Sequence, residues 1–295
     1  MRCIYDGPYP CGKCPACMAN RQRAFCFRLD QEREACSFYF WLTLQYSDEY
    51  VPHDEQTGEM CFSKKHCRDF FEKIRKRYSN YKFKHFLVSE YGPHSTHRPH
   101  YHCLLLCYSN KSLKELINDQ TEMRDFLINK AWTYGYVFQK SFHGRVLSYL
   151  TKYCCKPEVI GQFHKMKPFT LISKGIGLNY LENMSERQKQ QMIKSLDFTV
   201  RYGSGKIQLP RYYVDKIVPH SLQNLKDAID TPDYETISSI RRRLGAQQTD
   251  YARRSYNDSL QKYNGDVYAE NRSKEIMREA TWSNFKSKVK NRKDL

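Results

Sequence analysis

Two histidines and a glutamate are spaced so that they could share one metal ion. His100 and His102 lie two residues apart in an apolar stretch that predicts a strand, and strand geometry turns alternate side chains to the same face. Glu90 ends an earlier predicted strand, and an antiparallel hairpin through the connection 92–99 would set it opposite His100. Two imidazoles and a carboxylate, completed by water, suit Mg²⁺ or Mn²⁺ acting on a phosphate oxygen. The alternative is that one histidine caps the loop and the other is an ordinary buried residue.

A second group of reactive residues occurs in a segment that predicts a helix ended by a proline. Tyr149, Lys152, Tyr153 and Lys156 form two overlapping Tyr-x-x-Lys units, on an arc separate from the apolar side chains of the segment. A phenol with its usual pKa of about 10 needs nearby positive charge to attack as a phenolate, and each tyrosine has a lysine within reach. The pattern indicates a pair of tyrosine nucleophiles. In a chain with 23 tyrosines, the alternative is a half-buried aromatic pair.

The cysteines near the N-terminus could form a second metal site. Cys11, Cys14 and Cys17 recur at three-residue spacing with Cys3 nearby, and four thiolates could hold a structural Zn²⁺. The second C-x-x-C pair of a zinc ribbon is missing, so reduced, packed cysteines are the alternative. The scatter of all 12 cysteines favours a reducing compartment over a secreted disulfide framework.

The elements that must position these groups follow the order β-α-β-β-α-β-α. This order predicts an α+β domain with a mainly antiparallel central sheet flanked by helices. We place it at residues 36–185, between a Cys-rich segment at 1–35 that packs on this core and a basic, mostly helical region at 186–295. The predicted elements are strands at 38–44, 83–91, 100–107 and 136–142 and helices at 18–33, 63–78, 113–132 and 145–156.

Composition excludes several classes of protein. A chain of 295 residues with 40% hydrophobic and 14% aromatic residues has enough packing material to fold. No apolar run approaches the roughly 18 residues of a membrane helix, and the first residues lack the pattern of a secretory signal. Lys and Arg outnumber Asp and Glu by 49 to 32, and the resulting net charge of +17 favours a nucleic-acid partner. The segment that begins Arg241-Arg242-Arg243 is expected to contact DNA phosphates.

Taken together in this order, the motifs resemble the HUH endonuclease superfamily and, more narrowly, the rolling-circle replication initiation proteins of gokushovirus-type microviruses. The resemblance runs from the N-terminus to about residue 213. Trp41 and Gln45 stand where the family usually has smaller or Thr-like residues. Segment 40–46 is similar to the first family motif, 89–92 with 98–102 to the metal motif, and 149–156 to the paired-tyrosine motif, while 11–17, 175–177 and 209–213 resemble further gokushovirus blocks.

The resemblance implies an HUH-like fold and a metal-dependent, site-specific DNA endonuclease and strand transferase. Glu90, His100 and His102 would hold the ion. One tyrosine would attack a phosphate of single-stranded or extruded origin DNA, giving a 5′-phosphotyrosyl bond and a free 3′-OH. The second would cleave the regenerated origin, and the released 3′-OH would close a circle. Lys152 and Lys156 would stabilise the negative charge that develops.

The partners that this interpretation implies are origin DNA and a host DNA polymerase and helicase, without a membrane, in the host bacterial cytoplasm. Two alternatives stay open. A relaxase or transposase of the same superfamily would share the site but not the replication role. A zinc-stabilised nucleic-acid-binding protein without catalysis would need only the cysteines, the positive charge and the aromatic residues.

Overall fold

The computed structural model describes residues 10–92, 96–140, 146–152, 166–219 and 234–291. The chain divides into two compact units, one formed by residues 25–179 and the other by residues 1–24 together with 180–295. The three-part division expected from the sequence stays a prediction.

A five-stranded sheet is the centre of the 25–179 unit. Its strands are β1 (Phe38–Tyr46), β2 (Lys82–Tyr91), β3 (Pro99–Tyr108), β4 (Gly135–Gln139) and β5 (Thr170–Ile172). They lie in the order β4-β1-β3-β2-β5, and every neighbouring pair is antiparallel. The predicted α+β class, with a mainly antiparallel sheet flanked by helices, is confirmed, and β5 is an additional strand.

Helices cover both faces of this sheet. They are α1 (Pro15–Ala35), α2 (Lys64–Arg77), α3 (Leu113–Phe126), which a π-helical turn extends over Leu127–Ala131, and α4 (Val146–Lys152). Ser63 caps α2 as its residue type predicts, because its Oγ accepts a hydrogen bond from the His66 amide at 3.2 Å. The β-α-β-β-α-β-α order expected from the sequence is therefore present.

Alternation along the strands separates two apolar cores. Leu42, Leu44, Cys103 and Leu105 point to one face and pack with Phe70, Phe71 and Ile74 of α2 and Met123 of α3. On the other face, Phe86, Val88, Leu104 and Leu106 pack with Cys26 and Leu29 of α1 and with Leu147 and Leu150 of α4. The second core matters for function because it fixes α4 on the face that also carries Glu90, His100 and His102.

Gly135 allows β4 to lie close to β1. It pairs with Tyr46 at a φ of +150°, and a Cβ on this residue would be 2.3 Å from the carbonyl oxygen of Gln45. Any other residue would push the edge strand away from the sheet.

A buried carboxylate joins α1 to the sheet and to the glycine block at 175–177. The Glu32 side chain accepts hydrogen bonds from Lys84 Nζ at 2.6 Å, from the Tyr108 hydroxyl and from the Gly177 amide. Arg28 donates to the carbonyl oxygen of Ile176 at 3.0 and 3.1 Å. This block is therefore a turn held against α1.

The second unit is mainly helical, as predicted for the C-terminal region. It contains a hairpin of β6 (Thr199–Tyr202) and β7 (Gly205–Gln208), the short α5 (Asn179–Glu182) at the boundary, α6 (Glu186–Ser195), α7 (Arg211–Ile217), α8 (Tyr234–Gln261) and α9 (Val267–Asn291). Arg241 is bound internally, 3.0 Å from Asp215 and 3.3 Å from the carbonyl oxygen of Pro219, and so differs from the phosphate-contacting role expected of its segment. None of the described helices combines the length and apolar character that crossing a bilayer requires.

Candidate active site

Glu90, His100 and His102 converge on one side of the β2–β3 hairpin. Glu90 pairs directly with His100, so the hairpin register expected from the sequence is confirmed. Glu90 Oε2 lies 3.3 Å from His100 Nε2 and 3.1 Å from His102 Nε2. The three side chains thus form one cluster, the metal triad, whose ligand atoms all lie within 4.8 Å of one another.

The hydrogen bonds of His100 fix which ring nitrogen can bind a cation. Nδ1 lies 3.3 Å from the carbonyl oxygen of Arg98, and a carbonyl can only accept. Nδ1 therefore carries the proton, and in the neutral ring Nε2 presents a lone pair to the Glu90 carboxylate. Two acceptors at this distance repel each other unless a proton or a cation lies between them, so the donor set fits a metal ion.

His102 is oriented by Thr43. Nδ1 of His102 lies 3.3 Å from Thr43 Oγ1, and the hydroxyl can donate or accept. When Thr43 accepts from Nδ1–H, Nε2 of His102 is free to bind a cation next to Glu90. Burial lowers the pKa of His102, which keeps the imidazole neutral, as a metal ligand must be.

Tyr101, between the two histidines, points into the opposite core and holds β3 against α2. Its hydroxyl accepts from the Ser63 amide at 2.9 Å and lies 2.8 Å from the Tyr46 hydroxyl. Arg98 ties the start of β3 to the end of β1, because Nη2 donates to the carbonyl oxygen of Tyr46 at 2.8 Å and Nη1 lies 2.5 Å from Asp48. Both contacts fix the backbone that carries the triad.

The helix that carries Tyr149 packs on the triad face. Leu147 and Leu150 of α4 share a core with Val88, two residues from Glu90 on β2. Thr151 fastens the helix to α1, since its Oγ1 lies 3.0 Å from Cys26 Sγ. The backbone of Tyr149 and Lys152 belongs to α4, whereas their side chains, and Tyr153 and Lys156 entirely, lie outside the described residues. The nucleophile assignment therefore stays a prediction.

Cys11, Cys14 and Cys17 lie together in the other unit. Their sulfur atoms are all within 4.8 Å of one another, with 3.9 Å between Cys11 and Cys17. The amides of Cys14 and Cys17 point to sulfur atoms at 3.3 and 3.5 Å, and Trp282 of α9 packs against the group. Cys3 lies outside the described residues.

The sequence interpretation assigned no role to Thr43, although it lies inside the first motif. The signal that could have found it is its place on β1, because residues 41, 43 and 45 share the triad face once β1 is paired with β3.

Comparison with known proteins agrees with this geometry. Residues 39–158, which contain the triad and α4, match the family model of replication-associated proteins of the ORF2 type. The chain is also 26% identical over 216 residues to replication-associated protein VP4 of Bdellovibrio phage phiMH2K, a match that covers 70% of this chain and 66% of that protein.

This chain is related to phage replication-associated proteins. The relationship predicted from the motifs is therefore confirmed, and the matched region of the replication-associated family contains the complete sheet apart from β5 and the first residue of β1. No solved structure matches the chain.

Proposed function

We propose that this chain initiates phage rolling-circle replication by nicking single-stranded or extruded origin DNA with a tyrosine nucleophile. The observation that carries the proposal is the convergence of Glu90, His100 and His102 on the sheet face that α4 covers. The relationship to phage replication-associated proteins supports origin DNA as the substrate.

The triad fits a hard divalent ion, Mg²⁺ or Mn²⁺. Adjacent corners of an octahedral shell with ligands at about 2.1 Å lie about 3 Å apart. The distances of 3.1 and 3.3 Å from Glu90 Oε2 to the two imidazoles are close to this value. When bound, such an ion would polarise the scissile phosphate and neutralise its charge.

The protein residues would carry the group transfer. The phenolate oxygen of Tyr149 or Tyr153 attacks phosphorus, the bond from phosphorus to the 3′ oxygen breaks, and the leaving oxygen takes a proton to become a free 3′-OH. The 5′ end stays attached as a phosphotyrosine until a 3′-OH attacks it and restores a phosphodiester. Lys152 and Lys156 would stabilise the phenolate and the transferred phosphoryl group. A second tyrosine allows a second cleavage while the first is occupied.

The cysteine group is proposed to hold a structural Zn²⁺. Sulfur atoms at two corners of a tetrahedral site with Zn–S bonds of about 2.3 Å are about 3.8 Å apart. The 3.9 Å between Cys11 and Cys17 fits this spacing, and Cys3 would be the fourth ligand. Host polymerase would extend the free 3′-OH, and a host helicase would separate the strands in the bacterial cytoplasm.

The proposal is tested by incubating the full chain with labelled circular single-stranded phage DNA and Mn²⁺. We expect a protein–DNA adduct that survives denaturation and maps to Tyr149 or Tyr153. The double variant Tyr149→Phe/Tyr153→Phe should bind DNA normally but form no adduct, whereas the exposed Tyr251→Phe control should form it at the normal rate.

Ordinary nicking by the double variant would refute the nucleophile assignment. Absence of any adduct with the unchanged protein would favour a non-catalytic nucleic-acid-binding protein. Cleavage without rejoining of the circle would favour a relaxase or transposase.

A further inference from the structure

The edge strand β4 exposes two aromatic rings side by side. Tyr136 is 60% exposed and Phe138 is 49% exposed, whereas Val137 between them is 7% exposed and packs in the core with α2 and α3. Large apolar side chains at alternate positions of a strand share one face, so these rings form one aromatic surface.

This surface lies on the same face as the metal triad. Gln45 of β1 pairs with Tyr136 on one side and with His100 on the other, and Thr43 pairs with Phe138 and with His102. Paired residues point to the same face, so each ring is two strands from a triad histidine, about 10 Å at the usual strand spacing. Gln45 is exposed, which leaves the row from Tyr136 to His100 open.

The charge around the rings suits a polyanion. Lys140 continues the same side of β4, with its amide bound to the carbonyl oxygen of Trp41 and its Nζ 5.6 Å from the Trp41 ring centre. The chain as a whole carries a net charge of +17. Aromatic rings beside positive charge are the arrangement by which proteins hold single-stranded nucleic acid, because each exposed base can stack on a ring.

We propose that Tyr136 and Phe138 form a base-stacking platform for the single-stranded DNA beside the phosphate held at the triad. The inference rests on the proposed function, since it takes the triad as the phosphate site. At about 7 Å apart along the strand, each ring can hold one base, and stacking of this kind tolerates any base sequence. The platform would thus position the strand, while sequence preference would come from other contacts.

The test measures binding of a fluorescent single-stranded oligonucleotide by anisotropy in EDTA, where no cleavage occurs. Tyr136→Ala and Phe138→Ala should each weaken binding about tenfold, and more together, whereas Tyr136→Phe should bind like the unchanged protein. Ile117→Ala is the matched control, because this residue is 56% exposed on α3, whose packing residue Met123 lies in the opposite core. It should change neither affinity nor melting temperature.

A second readout keeps this test separate from the nuclease chemistry. Irradiated oligonucleotides with single iodouracil substitutions should cross-link to Tyr136 or Phe138 in the unchanged protein, even if no phosphotyrosine forms. Unchanged affinity of the double alanine variant, or cross-links confined to other residues, would overturn the platform while leaving nicking intact. A change in self-association without a change in DNA affinity would identify an interface between copies and would also overturn it.

Discussion

Thr43 lies directly opposite His102 in the β1–β3 pairing, and its Oγ1 is 3.3 Å from Nδ1 of that imidazole. A hydrogen bond on the far nitrogen of a ligating histidine orients the ring and fixes the tautomer that binds metal. Thr43 therefore belongs to the proposed ion site without contacting the ion.

Replacing Thr43 by valine should weaken Mn²⁺ binding about tenfold or more, because the shape is kept and only the hydroxyl is lost. Calorimetric titration of the full chain with Mn²⁺ measures this affinity directly. Thr43→Ser is the control, since it keeps the hydroxyl and should bind nearly as well as the unchanged protein. Equal affinity in the valine variant would show that Thr43 does not orient His102.

The triad could be predicted from the sequence because its geometry follows from two local rules. Alternation placed His100 and His102 on one face, and the short hairpin connection set Glu90 opposite His100. Thr43 needed the pairing of β1 with β3, which joins residues 59 positions apart. Its role therefore depended on tertiary pairing that no local pattern contains.

Other features were beyond reach of the sequence for the same reason. The strand β5 covers only Thr170–Ile172, which is too short for alternation to identify. Glu32 reads as an ordinary polar residue of α1, yet its partners Lys84, Tyr108 and Gly177 are 52, 76 and 145 residues away. Contacts of this kind are fixed by the completed fold.

His85 should make the protein less stable in mild acid. It stacks on Phe71 with 3.9 Å between ring centres, and its Nδ1 lies 3.0 Å from Ser173 Oγ. Burial, with a smaller contribution from the positive charge of Arg75, lowers the pKa of His85 to about 4. An unfolded histidine titrates near pH 6.5, so between about pH 6.5 and 4 the unfolded chain takes up a proton that the native protein does not. The native state therefore loses stability as the pH falls through this range.

Urea unfolding at pH 7 and pH 4.5 measures this loss. His85 should account for about 2 kcal/mol of the decrease in unfolding free energy, and His85→Gln, which cannot titrate, should show a correspondingly smaller decrease. Other acidic groups and histidines affect both proteins alike, so the comparison isolates His85. Parallel losses in the two proteins would contradict the assignment.

Glu32→Gln should destabilise the 25–179 unit. The carboxylate is 1% exposed and pairs with Lys84 at 2.6 Å, so the neutral variant would leave a half-buried ammonium group without its counter-charge. Loss of one partner from a buried pair costs about 3 kcal/mol. Urea unfolding should show this decrease for Glu32→Gln and almost none for Glu34→Gln, which removes an equal charge from a mostly exposed side chain of the same helix. Equal midpoints for the two variants would show that the pair adds no stability.

Cys14 should be required for zinc in the purified protein. Its side chain is fully buried, and Trp282 of α9 packs against the cysteine group, so an ion held there would join the N-terminal residues to α9. Protein purified without chelator should contain about one Zn²⁺ per chain, and Cys14→Ser should lose most of it, because three ligands bind a structural zinc far more weakly than four. Cys61→Ser removes a thiol outside the group and should keep the full content. Chelation should lower the melting temperature of the unchanged protein but not of Cys14→Ser. Zinc near zero in the unchanged protein would mean that these thiols only pack, and that the N-terminal residues are held by Trp282 and their apolar neighbours instead.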